Sequence, residues 1–248
     1  MPTSSREKKQ ELPAASKPVS GALVRPYLGA SAEDRVGGRR QKLIETAFAL
    51  MASEGWRQVS IDALCREAKL NKRYFYESFA NLDELAAAVV DDIAAKLMEM
   101  ALAAAGEASA SGQSTEVIAL RALRIVIEYL TDDERRARVL FTEIVDSPQA
   151  LAHRHMAIQS LAQSLSDFGH EHHKAGKLTD PIAAVTASLL VGGSMEVILN
   201  WLDGRIVMPR DQLIEDIAAL WILAGDGAVA RARARQKPKP KAEKKKPA

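Results

Sequence analysis

The side chains with the clearest chemical use lie together at Asn71, Lys72, Arg73, Tyr74 and Tyr76, where cations and phenols crowd into six residues. Lysine and arginine neutralise phosphates or donate to guanine, and tyrosine hydroxyls donate to phosphate oxygens. Phe75 and Phe79 are four apart, so on a helix they share a face and point inward. Lys72, Arg73, Tyr74 and Tyr76 are left on the arcs facing away, a surface suited to the major groove, whose width admits a helix. An ordinary helical hairpin with a solvated charged face has the same spacing, so the pattern alone leaves both readings open.

Such a surface needs elements to position it, and these are legible on either side. Ile61, Leu64, Cys65 and Ala68 fall at i, i+3, i+4 and i+7, one apolar stripe on a short helix. Ser60 is its N-cap, and Asp62 puts negative charge where the helix dipole favours it. Lys69 and Leu70 make a turn, after which Asn71 can cap the second helix. Upstream, Leu43, Ile44, Ala47, Phe48, Leu50 and Met51 mark a helix with a broad apolar stripe, stopped at Glu54-Gly55-Trp56 with glycine at a plausible C′ position. Three helices around one small core are what a helix-turn-helix domain requires.

These residues resemble the tetracycline-repressor (TetR) family of bacterial transcriptional regulators. The likeness runs through Ser53-Glu54-Gly55-Trp56, Val59-Ser60-Ile61, Ala68-Lys69-Leu70-Asn71, Tyr76 with Phe79, and Asp83-Glu84-Leu85, covering roughly residues 39 to 90. Beyond residue 90 it is architectural. The resemblance implies a regulator without cofactor or metal that binds double-stranded DNA, pairs as a homodimer through its last two helices and answers to an unidentified small-molecule effector. Its DNA-facing set would be Arg39, Arg40, Ser60, Asn71, Lys72, Arg73, Tyr74 and Tyr76. Two departures stand out: Lys69 occupies the turn where the family usually has glycine, and Leu82 replaces a common phosphate-binding lysine. A non-glycine residue in a left-handed turn costs about 1 kcal/mol, and the lysine contact is not carried over.

Composition points the same way. A chain of 248 residues, 47% hydrophobic, can bury one small and one larger core. Without alternating β-branched runs between Gly37 and Gly225, the expectation is all-α. It comprises a disordered arm over residues 1–36, a three-helix DNA-binding domain over 37–85, a larger helical ligand-binding and dimerisation domain over 86–225, and a disordered basic tail over 226–248.

Charge is unevenly placed. Residues 1–42 carry nine Lys or Arg against four Asp or Glu, and residues 226–248 nine against two, leaving the middle at a net −10. An acidic body with basic ends is repelled by DNA except through those ends and the recognition helix. The tail of Lys, Arg, Ala and Pro has almost nothing to bury; non-specific DNA affinity and simple solvation are its two readings. For Arg39 and Arg40, at the end of the arm, minor-groove or phosphate contact stands beside solvation.

In the body the expected helices span Leu82 to about Ala105, closed by Gly106, then 115–130, 132–145, 149–175, 181–202 and 210–224. The last two are the least polar and suit an interface that a symmetric partner completes. Phe141, Met156, Met195 and Trp201 are candidate walls of a ligand pocket, with Glu143 as a polar group inside VLFTEIV; each fits ordinary core equally well. His153, His155, His170, His172 and His173 read as exposed helix histidines, for no ligand set has a recognised metal spacing. Cys65, the single cysteine, belongs to a buried stripe. A polar N-terminus without an apolar centre, and apolar runs too short or too broken by charge to span a bilayer, suggest a cytoplasmic protein without a membrane partner.

Glycine-rich phosphate loops, nucleophile elbows and metalloprotease patterns do not occur, so an enzyme is not expected. The reading is a sequence-specific transcriptional regulator, a homodimeric repressor released from a near-palindromic operator by a ligand. Its alternatives are an architectural DNA binder using basic tails, and a helical small-molecule carrier.

Overall fold

The computed structural model describes residues 32–172 and 181–236, which contain helices and no strand. The helices are α1 (Ala32–Glu54), α2 (Ile61–Ala68), α3 (Lys72–Ser78), α4 (Leu82–Ala110), α5 (Thr115–Asp132), α6 (Glu134–Phe141), α7 (Pro148–His172), α8 (Ile182–Leu202) and α9 (Arg210–Gln236). Short 3₁₀ turns follow α1 at Trp56–Gln58 and α6 at Glu143–Asp146.

Local chemistry sets the small helices. Ser60 Oγ accepts the Ala63 N–H at 3.2 Å, Asn71 Oδ1 accepts that of Tyr74 at 3.2 Å, and Asn81 Oδ1 that of Glu84 at 2.8 Å. Each side chain satisfies a donor that the helix leaves unpaired. Glu84 also reaches back to the Ala80 N–H at 2.6 Å, so the first turn of α4 is tied from both sides. α1 ends at Gly55, whose φ of 82° favours glycine.

Several boundaries differ from the sequence expectation. α1 starts at Ala32, so residues 32–36 belong to the first helix rather than to the arm, and Arg39 and Arg40 lie inside it. Gly106 does not close α4. The helix runs to Ala110 and ends where Gly112, at φ 66°, lets the Gln113 N–H reach Ala108 O at 3.1 Å. The expected helix over 132–145 divides at Thr142 into α6 and the 3₁₀ turn. α9 continues past 224 to Gln236, because its Ala/Arg repeat favours helix and the next proline is Pro238. The remainder of the tail and of the arm lies outside the described residues.

One continuous buried cluster joins the two parts of the chain: Leu43, Met51, Phe75 and Phe79 share it with Ile127, Leu140, Ile144 and Leu213. A second, smaller cluster of Ala162, Ala187 and Val191 closes the far end of α7 and α8. α4 packs along both α5 and α7, and α9 packs against α5 and α8. α8 corrects one expectation: over 21 residues it is long and apolar enough to cross a membrane by length and composition, since Glu196 is its single charge. Here it packs against α7 and α9.

Candidate nucleic-acid interface

α2 and α3 form the turn that the spacing predicted. Phe75 and Phe79 are buried, with ring centroids 6.0 Å apart, while Lys72, Arg73 and Tyr76 are exposed. Lys69 adopts the left-handed conformation itself, φ 54° and ψ 41°, and no other non-glycine among the described residues has positive φ. Its N–H bonds to Arg66 O at 3.2 Å and the Leu70 N–H to Cys65 O at 2.9 Å, the double closure usually made with glycine. The departure at Lys69 therefore leaves the turn unchanged and stores strain in it.

Ion pairs pre-arrange the exposed face. Lys72 Nζ lies 2.6 Å from Asp62 of α2, which holds the ammonium pKa above its ordinary value, first through the hydrogen bond and then through the carboxylate's charge. Glu77 receives Arg73 at 3.0 Å and Arg39 at 3.6 Å. The Arg39 guanidinium also lies over the Tyr74 ring, 4.4 Å from its centroid, and Arg40 over Phe79 at 4.8 Å. Tyr74, expected to face away, is thereby half-buried, and Arg39 acts on α3 as a brace from α1. Ser60 and Asn71 cap their helices and remain exposed. Leu82 is half-buried against the main cluster, an apolar role that a lysine would not fill. Cys65 is buried, and that burial, followed by the charge of Asp62, pushes its thiol pKa up.

The body contains an elongated cavity of about 520 Å³ between α4, α5, α7 and α8. Of the candidate pocket residues, Phe141, Met156 and Met195 line it; Glu143 and Trp201 do not. Trp201 donates Nε1–H to Met208 O at 2.9 Å and packs on the main cluster. Glu143 stands in the 3₁₀ turn with Oε2 close to Gly55, where an added Cβ would approach it to 3.3 Å. His153 is not an exposed histidine but a half-buried wall residue, its Nδ1 2.9 Å from an Asp91 carboxylate oxygen. His155 is exposed; the side chains of His170 and His172, and His173 altogether, lie outside the described residues.

Sequence reasoning missed the groups that join cavity and DNA-binding helices. Directly after Phe141, the 3₁₀ turn delivers Asp146 to Arg57, whose Nη2 donates at 2.8 Å while Nε donates to the other oxygen. This pair holds the Asp146 pKa below the ordinary carboxylate value. Ser147, the one fully buried polar residue among the described residues, donates Oγ–H to Asp83 at 2.6 Å and accepts the Ala150 N–H at 3.3 Å. It thus caps α7 and ties it to the first turn of α4. The only signal available for Ser147 was its place before Pro148, a helix-start pattern.

Residues 43–89 match the family model described as bacterial regulatory proteins, tetR family. No curated protein matches the chain by sequence. Among solved structures, the fatty acid degradation regulator FadR from Bacillus halodurans superposes with a TM-score of 0.62 at 15% identity, covering 74% of this chain and 94% of its own. A tetR-family transcriptional regulator from Streptomyces coelicolor gives 0.61 at 18% identity, covering 80% and 89%. A TetR-like transcriptional regulator from Rhodococcus sp. RHA1 gives 0.55 at 21%, covering 77% and 96%. At these identities the likeness concerns the fold, and it extends through the helical body. The N-terminal domain thus belongs to the tetR family of bacterial regulatory proteins, and the chain is a DNA-binding regulator built on that family's fold.

Proposed function

We propose that this chain is a homodimeric repressor, released from a near-palindromic operator when a small molecule occupies the cavity of the helical body. The observation that carries this reading is the short physical path between cavity and DNA-binding helices. Phe141 lines the cavity, and within the next six residues the chain makes the Asp146–Arg57 and Ser147–Asp83 bonds. A ligand that shifts the wall at Phe141 therefore acts on the seats of α2, α3 and the start of α4. It can move that equilibrium only by the difference in its affinity for the two arrangements.

Dimerisation is supported by the last two helices. Val185 and Leu189 on α8 are 60% and 69% exposed, and Leu220 and Leu223 on α9 are 61% and 68% exposed. Such a face suits a symmetric copy that completes a four-helix bundle. Two recognition helices then meet major grooves about 34–36 Å apart on one face of the duplex.

The test is selection of bound fragments from a random DNA pool at moderate salt with the full chain. An enriched inverted repeat supports the reading. A single enriched half-site overturns the dimeric part, and binding without enrichment leaves a non-specific DNA binder.

A further inference from the structure

The cavity contains one group that its apolar walls do not explain. Among the described lining residues only Asp91, His153 and Arg154 are ionisable. Asp91 and His153 face each other, with Nδ1 2.9 and 3.0 Å from the two carboxylate oxygens. Among the described residues Arg154 has no carboxylate partner. Its Nη1 donates only to Phe141 O, at a long 3.4 Å, and its Nε is buried without any hydrogen-bond partner. A guanidinium turned toward an apolar cavity without a counter-ion is costly, and an unpaired buried donor adds to the cost. Such cost is tolerated where a ligand supplies the missing acceptor.

Shape adds a second constraint. Ser147 meets Asp83 and His153 meets Asp91, so α4 and α7 advance side by side in the same direction. The ionisable groups therefore sit at the end of the cavity nearest the DNA-binding helices. From Asp91 to Ala105 the cavity follows α4 for about 21 Å. Its far end is lined by Leu102, Leu165 and Phe168.

We propose that the cavity takes an elongated carboxylate, with the anionic head paired to Arg154 and the apolar body lying along α4 toward Phe168. The inference rests on the ligand-responsive reading above and names the class of that ligand. The head displaces the weak bond from Arg154 to Phe141 O, freeing the carbonyl at the start of the segment that holds Asp146 and Ser147. The fork of a guanidinium matches a carboxylate in two parallel bonds, which makes Arg154 the determinant of head-group charge. Asp91 is engaged by His153, and among the described residues it forms no ion pair with Arg154.

The test measures calorimetric binding of dodecanoate, dodecan-1-ol and dodecyltrimethylammonium, each below its micelle concentration, to the full chain at pH 7.5. Dodecanoate should bind about tenfold or more tighter than the alcohol, as a charged hydrogen-bond pair requires, and the ammonium weakest. Shortening the chain should weaken binding about fourfold per methylene. Arg154→Met should abolish the preference for dodecanoate while leaving dodecanol binding within about threefold, and should raise the melting temperature of the ligand-free protein by removing the uncompensated charge. Arg154→Lys should restore part of the preference. If Arg154→Met fails to fold, the ranking of the three probes on the wild type decides. Equal binding of acid and alcohol, or an unchanged preference in Arg154→Met, overturns the anionic head and leaves the cavity as a ligand site. Binding of none of the probes overturns both. Binding as described without release of the selected operator upholds the head group and refutes ligand release.

Discussion

Ser147→Ala is the sharpest probe of the joint between helical body and DNA-binding domain. The hydroxyl is fully buried, donates to Asp83 at 2.6 Å and caps α7 by accepting from Ala150 at 3.3 Å. Losing the cap costs about 1 kcal/mol. Losing a hydrogen bond to a carboxylate costs about 1.5 to 3 kcal/mol, and the low end applies because Asp83 is only half-buried and water can replace the hydroxyl. The sum is about 2.5 kcal/mol, which for a chain of this size lowers the melting temperature by about 5–10 °C. Thermal melts followed at 222 nm measure it, with Ser53→Ala as control, since the exposed Ser53 hydroxyl bonds only to Ala49 O and Leu50 O of its own helix. Pairing Ser147→Ala with Asp83→Ala in a double-mutant cycle separates the bond from the cap: a coupling energy above about 0.5 kcal/mol is expected. A drop under about 2 °C, or additive single effects, would show that the contact carries no weight. The same variant should release operator at lower effector concentration, because part of the tie between α7 and α4 is already gone.

Further expectations concern the DNA-binding domain. Lys69→Gly should stabilise it by about 0.5–1 kcal/mol, since removing a left-handed strain of about 1–2 kcal/mol outweighs the added freedom of the unfolded glycine; a lower urea midpoint would contradict the strain at φ 54°. Lys72→Ala should reduce the slope of log K against log salt by about 0.9 for each recognition helix on the DNA, whereas Asp62→Asn, by freeing Lys72 from its pair, should tighten binding. An unchanged slope would take Lys72 off the phosphates. The Asp146 pKa is lowered in the folded protein by Arg57, so the stabilisation is complete above the ordinary carboxylate value of about 4 and fades as pH falls through the lower folded value. Wild type and Asp146→Asn should accordingly differ in melting temperature at neutral pH and converge in acid; a constant difference down to pH 2 would refute the pairing. Cys65, buried with its thiol pKa raised, should react with disulfide reagents far more slowly in the folded protein than in urea, and equal rates would contradict its packing.

The DNA-binding domain was legible in the sequence because its determinants are local. Ser60, Asn71 and the pair Phe75 and Phe79 act within four residues of their partners, and helical periodicity fixes which side chains share a face. The same locality explains why the short helices were read within a residue or two while α4 and α9 were read short: Gly106 and the end of the apolar pattern looked like stops, yet a glycine without positive φ and an Ala/Arg repeat both continue a helix. Contacts between distant segments were not legible. Arg39 over Tyr74, Arg57 with Asp146, Ser147 with Asp83 and His153 with Asp91 depend on how helices align lengthwise, and no local pattern encodes that register. Periodicity therefore assigned Met156 and Phe141 to an inward face but could not tell cavity from core, nor place Glu143 beside Gly55 instead of in the pocket. The amino-acid order determined that a basic, tyrosine-bearing helix is held out on a small core; only the packing of α4 against α7 decided that Arg154 would line an apolar cavity with its Nε unpaired.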